Sequence, residues 1–317
     1  MKAGADRLRP TWTTLPPSLR AQIVSAIGGD FVGDEPAHGG FSASYAGVVT
    51  TTAGNAFVKA CAADWHADSL YFLREEMRTL AHLPSSVAPR LLAAMDDSVG
   101  TALVIEAIDG YHPGQPWTTE DLHAVARALR GLSTSPAPPE MPRAEDRMLP
   151  GFTRWQEIAA DPHLLDALPH DLSAQMPQLL RIEEGFRDAL HGNAIVHDDV
   201  RADNILISDG KAHLLDWPHA RRGAAWIDLP CLLPSIEASG GPSCEEAWAV
   251  FEEHDAPPQS ALLPVISAFA SFLWYQQAQP EIPQLPGLRE FQRAQAIPAL
   301  RWLAGLLSQD QDRAASR

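Results

Sequence analysis

Between residues 195 and 217 the chain runs Ile195-Val196-His197-Asp198-Asp199-Val200-Arg201-Ala202-Asp203-Asn204, then Ile205-Leu206-Ile207-Ser208-Asp209-Gly210-Lys211-Ala212-His213-Leu214-Leu215-Asp216-Trp217. An apolar strand enters a polar loop, and a hairpin follows. Asp209-Gly210 joins the two apolar arms and suits the positive φ angles of a two-residue turn. Counting outward from that turn, Ser208 faces Lys211 and Ile205 faces Leu214. Asn204 and Asp216 are therefore expected together at the open end, beside a third group, Asp199. One amide oxygen and two carboxylates form a set that suits a hard divalent ion such as Mg²⁺, which takes few protein oxygens and completes its shell with phosphate. An Asp-rich turn alone is ordinarily just a turn. The order and spacing of the whole set are what point to chemistry.

The elements upstream are those needed to bring phosphate to such a set. Residues 15–28 carry prolines at the start, Leu19, Ile23 and Ile27 at spacing four, and glycines at the stop, which predicts a short packing helix. His38-Gly39-Gly40-Phe41-Ser42-Ala43-Ser44-Tyr45 lies between two strand-like runs. Gly39 and Gly40 allow the backbone close to a phosphate, and Ser42 and Ser44 offer donors to its oxygens; a plain hairpin tip is the bland alternative. Lys59 interrupts the apolar run Ala56-Phe57-Val58-Lys59-Ala60, so its ammonium must meet either an anion or water. A helix is predicted from about Asp64 to Leu83, with Leu70, Leu73, Met77 and Leu80 at helical spacing and Pro84 after its end. On that wheel Glu76 lies at the margin of the apolar stripe and Glu75 nearly opposite, so Glu76 is the expected partner of Lys59. Leu91–Met95 and Thr101–Gly110 read as a strand pair, with Gly110 as a hinge.

The ordered set His-x-Asp-x-x-x-x-Asn, followed by an apolar run ending in Asp216, resembles the catalytic and metal loops of the protein-kinase-like fold. Because Trp217 follows where protein kinases carry Phe-Gly, the resemblance is closest to the aminoglycoside phosphotransferase and choline kinase branch. Gly39-Gly40 with Tyr45 is similar to that branch's glycine loop. The resemblance implies an α+β, two-lobed fold: a β-rich lobe over residues 1–107 and a mainly helical lobe over residues 108–317. It implies ATP and Mg²⁺ as cofactors. Lys59, braced by Glu76, would hold the α- and β-phosphates, and backbone groups between Glu106 and Ile108 would meet adenine. Asn204 and Asp216 would hold the metal, Asp199 would accept the proton of the acceptor hydroxyl, and His197 would support the loop. Asp228 resembles a structural aspartate that braces the loop, a helix N-cap being the other reading.

Two departures from that pattern stand out. Asp198 occupies a place where these phosphotransferases usually carry glycine; if it and Asp199 are both dry, one of them must become harder to ionise. Asp198 is expected to face solvent or a basic partner. Arg201, two residues after Asp199, is a candidate for stabilising charge on the γ-phosphoryl group.

The remaining chain predicts a helix over 118–132, a proline-rich surface loop or flap over 133–150, and one long amphipathic helix over 172–191. The C-terminal helices carry Glu245, Glu246, Glu252, Glu253 and Asp255 and are expected to wall the acceptor site, the acidic groups themselves reading first as a solvated face. With 317 residues, 45% of them hydrophobic, the chain can bury a large core. A formal net charge of −16 argues against a nucleic-acid partner and is compatible with a cationic small-molecule acceptor. Three scattered cysteines suggest neither a disulfide framework nor a zinc site. The N-terminal residues lack an apolar segment and no run is long enough to span a bilayer, so a cytoplasmic protein without a membrane partner is expected. The function expected is transfer of the γ-phosphoryl group of ATP to a hydroxyl of a small molecule, an amino sugar first, with choline-like and sugar alcohols behind. A nucleotide-binding pseudokinase is the alternative of a different class. A protein kinase is disfavoured by the short passage after Asp216.

Overall fold

The computed structural model describes residues 10–37, 40–114, 116–252, 257 and 259–315. Its strands are β1 (Phe31–Pro36), β2 (Tyr45–Thr51), β3 (Gly54–Ala62), β4 (Leu91–Asp96), β5 (Gly100–Ile105), β6 (Ala194–Val196), β7 (Ile205–Ser208), β8 (Lys211–Leu214) and β9 (Arg221–Gly223). Its α-helices begin with α1 (Pro17–Ile27), α2 (Ala67–Leu80), α3 (Thr119–Ser133), α4 (Ala144–Phe152), α5 (Trp155–Ala160), α6 (Pro162–Asp166) and α7 (His170–Ser173). They continue with α8 (Met176–Glu184), α9 (Phe186–Ala189), α10 (Asp228–Ala238), α11 (Cys244–Glu252), α12 (Gln259–Gln277) and α13 (Leu288–Ala315). The chain divides into two compact units. One comprises the residues up to His112, with Asp203–Ala220 and Ile282–Pro286; the other comprises Pro113–Ala202, Arg221–Glu281 and the residues from Gly287. The first crossing falls after His112, a little beyond the expected 107/108, and two later segments return to the first unit.

The first unit is built on an antiparallel sheet in the order β1-β2-β3-β5-β4. Strand alternation decides which way each residue of β3 faces. Ala56, Val58 and Ala60 enter an apolar core with Trp12, Leu19, Ile23, Tyr45, Val49, Ala102 and Val104. Lys59, opposite Ala46 on β2 and Leu103 on β5, must therefore project from the other face. Helix α2 begins at Ala67, later than the expected 64, because the His66 ring accepts the Ser69 N–H and caps it there. Its buried face carries Leu70, Leu73, Glu76 and Leu80.

The hairpin β7–β8 also belongs to this unit. It has the expected register, Ser208 opposite Lys211 and Ile205 opposite Leu214, with φ of 49° at Asp209 and 70° at Gly210. These two positive angles make a primed turn that matches the twist of the arms. Tyr111 pairs with Ile207, and a Cβ on Gly110 would lie 2.6 Å from the Ile207 carbonyl. What the structure shows at Gly110 is thus close backbone approach.

The second unit is mainly helical. Helix α3 starts with a capping box between Thr118 and Asp121, the former being one of the two caps expected. The segment 133–150 is not a flap. Pro136 bridges Ala194, Ala137 N–H donates to Asn193, and Arg143 bridges Arg222, so the segment runs along the small β6–β9 sheet. It then turns into α4, whose Ala144, Met148 and Phe152 recur every four residues and are buried. Proline is tolerated here because these are outer lanes of the sheet. The single helix expected over 172–191 is three short ones, α7, α8 and α9. Pro177 opens α8, and Gly185 closes it. No described helix is long and apolar enough to cross a membrane.

Candidate active site

In the first unit, alternation along β3 and the buried stripe of α2 bring Lys59 and Glu76 together. The Lys59 ammonium donates to both Glu76 oxygens at 2.8 and 2.7 Å, and to Asp216 Oδ1 at 2.7 Å. Glu76 is the partner, as the wheel required; Glu75 instead pairs with Arg78 along the helix. The Glu76 carboxylate also accepts the Trp217 N–H at 3.2 Å, while the buried Trp217 indole donates to the Leu214 carbonyl at 2.9 Å. Trp217, the residue after Asp216, thus locks the end of the hairpin to α2. Burial opposes the charge of Lys59, but Asp216 and Glu76 outweigh it and hold the ammonium protonated well above the ordinary lysine range. Burial pushes Glu76 up, against the pull of Lys59 and with Asp216 adding to the push.

Asn204 and Asp216 flank the open end of the hairpin, where Leu215 N–H donates to the Asn204 carbonyl at 2.8 Å. Asp216 has a φ of 68°, so the chain leaves the strand sharply and its side chain stays partly exposed beside Lys59. Of the glycine loop, Gly39 lies outside the described residues. Gly40 has a φ of 69°, a conformation glycine adopts without strain. Ser42 and Ser44 share a hydrogen bond of 2.5 Å between their hydroxyls, and Ser44 is buried, so Ser42 is the more accessible of the two. After β5, the Glu106 N–H donates to the Arg90 carbonyl at 3.0 Å, and the Glu106 carboxylate takes the Arg90 guanidinium at 2.7 Å. Among the described residues no protein acceptor meets the Ile108 N–H.

In the second unit, β6 delivers His197, Asp198 and Asp199. Asp228, in the first turn of α10, accepts the His197 N–H at 2.7 Å and the Asp198 N–H at 2.9 Å. It is the loop brace, and the helix cap position belongs to Ile227. Burial pushes the Asp228 carboxyl up to about 6, against the pull of those two amides and with Asp199 adding to the push. His197 is fully buried, consistent with a supporting place in the loop. Arg201 donates from one guanidinium nitrogen to both Asp199 oxygens, at 2.6 and 2.7 Å, and stacks over the Phe291 ring at 5.3 Å. Its partner is therefore Asp199, whereas Asp198 takes the Arg147 guanidinium at 2.9 Å. Arg147 was not expected, because its helix lies in a segment that reads as a loop; Ala144, Met148 and Phe152 at spacing four were the signal available.

The acidic residues of the C-terminal helices divide. Glu246 caps its own helix through Ser243, Glu237 pairs with Arg301, and Glu253 and Asp255 lie outside the described residues. Among the described residues no cluster of three or more His, Cys, Asp or Glu side chains forms a metal cage. An amide oxygen with one carboxylate is a set that leaves most positions of an ion to phosphate and water.

The sequence profile of the phosphotransferase enzyme family matches residues 35–263. No curated protein sequence matches the chain. Among solved structures, a choline kinase from Streptococcus pneumoniae superposes with a TM-score of 0.59 at 14% identity, over 90% of this chain and 98% of its own. An aminoglycoside-3'-phosphotransferase of type VIII gives 0.53 at 21% identity, over 80% and 97%. A spectinomycin phosphotransferase in complex with ADP and spectinomycin gives 0.54 at 12% identity, over 90% and 96%. At such identities these are likenesses of fold.

Proposed function

Because the chain belongs to the phosphotransferase enzyme family, we propose that it transfers the γ-phosphoryl group of ATP to a hydroxyl of a small molecule. What supports this above all is the part-buried Lys59 ammonium, bonded at once to Glu76 and Asp216. A lysine held in this way on an inner strand is a fixed positive charge facing where phosphates would lie, and phosphoryl transfer depends mainly on positioning and charge neutralisation.

The roles divide as follows. Lys59, steadied by Glu76, meets the α- and β-phosphates. The Gly40 backbone and the Ser42 hydroxyl meet them, with Ser44 bonded to Ser42. The Glu106 carbonyl and the Ile108 amide take the edge of adenine, since the Glu106 amide is already engaged by Arg90. Asn204 and Asp216 hold Mg²⁺, whose charge when bound offsets that of the β- and γ-phosphates. Asp199 orients the acceptor hydroxyl and receives its proton. Arg201, beside it, donates to both Asp199 oxygens, which keep acceptor capacity for the hydroxyl.

The acceptor proposed first is an amino sugar, favoured by the charge of −16; choline-like and sugar alcohols are the other candidates. One observation favours a second reading, a nucleotide-binding protein without transfer: Arg201 engages both oxygens of Asp199. A mass-spectrometric screen separates the two. Mg-ATP is offered with aminoglycosides, other amino sugars, choline-like alcohols, sugar alcohols and peptides. A phosphorylated small molecule supports the proposal and names its acceptor. Thermal stabilisation by Mg-ATP without any product supports the second reading, and absence of both contradicts the site assignment.

A further inference from the structure

Asp198 sits at φ 62°, in the left-handed region where glycine is the default residue. A side chain here adds local strain, which persists only where its surroundings hold it in place. The Asp198 side chain is so held: it is 1% exposed, and its Oδ2 accepts the Arg147 Nε at 2.9 Å. No protein donor reaches its Oδ1 among the described residues. Its backbone N–H and that of His197 are meanwhile fixed by Asp228. The loop is therefore held from two directions, its backbone by α10 and its one left-handed side chain by α4.

We propose that Arg147 is a positioning residue, which by gripping the Asp198 side chain fixes the backbone from which Asp199 projects. Arg147 touches neither Asp199 nor Arg201 by any bond described above; it acts through Asp198. The charges facing Asp198 are Arg147 from α4, Arg221 from β9 and Asp228 from α10, while Asp199, next in the chain, faces Asp228. Burial pushes the Asp198 carboxyl up to about 7, Asp228 adding to the push and Arg147 and Arg221 pulling it down. The grip thus gains its full ionic character only above neutrality, and a proton on Asp198 weakens it. Turnover should fall below neutral pH for a reason separate from the substrate.

The grip itself stands independently of the phosphotransferase proposal; its effect on turnover rests on it. The test is a double-mutant cycle in the full-length protein with Arg147→Met, Asp198→Gly and the two combined, with Arg147→Lys in place of Met should the Met variant not fold. Amide hydrogen exchange over residues 195–204 reads the grip directly. Arg147→Met should raise exchange there by about tenfold or more, and should add little in the Asp198→Gly background, because only contacting residues couple. Unchanged exchange, or an equal rise in both backgrounds, overturns the proposal. With an acceptor in hand, Arg147→Met should lower kcat by about tenfold with KM for ATP nearly unchanged. The acid limb of the wild-type kcat profile near neutrality should be lost in Asp198→Gly. An unaltered kcat and limb overturn the effect on turnover, and a wild type that transfers nothing contradicts the proposed function while exchange still decides the grip.

Discussion

Each unit gathers a carboxylate cluster, and the two stabilise it in opposite ways. Around Lys59, one ammonium sits between Glu76 and Asp216, and its charge survives burial because two anions surround it. Around Asp198, two carboxylates share a dry region with arginines at its margin, and both Asp198 and Asp228 are pushed up toward neutrality. In the first arrangement the ammonium keeps its charge at any physiological pH. The second holds backbone, and the hydrogen bonds that the His197 and Asp198 amides donate to Asp228 do much of the work that charge does in the first. Identical residue types thus serve electrostatics in one place and geometry in the other.

Removing the lysine should break the contrast most severely. Lys59→Met leaves two facing carboxylates without their cation; we expect turnover to fall by about 10²–10³-fold. The same change should lower the unfolding free energy in urea by about 3 kcal/mol. Asp228→Asn should be milder. One of the two loop amides would lose its acceptor, at a cost of about 2 kcal/mol by the same measurement.

The pH dependence of stability sharpens the contrast further. Folded-state values of about 7 for Asp198 and about 6 for Asp228 lie above the unfolded carboxyl range. The native state therefore binds more protons than the unfolded state between roughly pH 4 and 7, so stability falls as pH rises through that window. The melting temperature should be roughly 5 °C lower at pH 8 than at pH 5. Glu76 moves in the same sense, so Asp198→Asn, which should flatten only part of the slope, isolates the second cluster. Equal slopes in wild type and variant would show that Asp198 does not titrate there. The smallest effect belongs to Glu75→Gln: its pairing with Arg78 lies along the helix, and stability should change by less than about 0.5 kcal/mol.

The Lys59 cluster was legible in the sequence because period-two burial, a helical wheel and a two-residue turn each fix direction locally. Those rules place Lys59 away from the core, choose Glu76 over Glu75, and bring Asn204 and Asp216 to one end of a hairpin. The Asp198 cluster depends on longer-range pairing. Arg221-Arg222-Gly223 has no strand pattern, yet it becomes β9 because Ala194–Val196 needs a partner and Gly192 lets the backbones meet, a Cβ there lying 2.2 Å from the Gly223 carbonyl. Proline content hid α4, and with it Arg147. In 172–191 the apolar spacing survived the breaks at Pro177 and Gly185, so periodicity alone merged three helices into one.

The most direct test of the central claim is transfer itself, measured by mass spectrometry as phosphorylated acceptor formed from Mg-ATP by wild type and by Asp199→Asn under identical conditions. The account predicts product with the wild type and at least about a hundredfold less with the variant. Equal yields from the two proteins, or none from the wild type with any small-molecule alcohol, would contradict it.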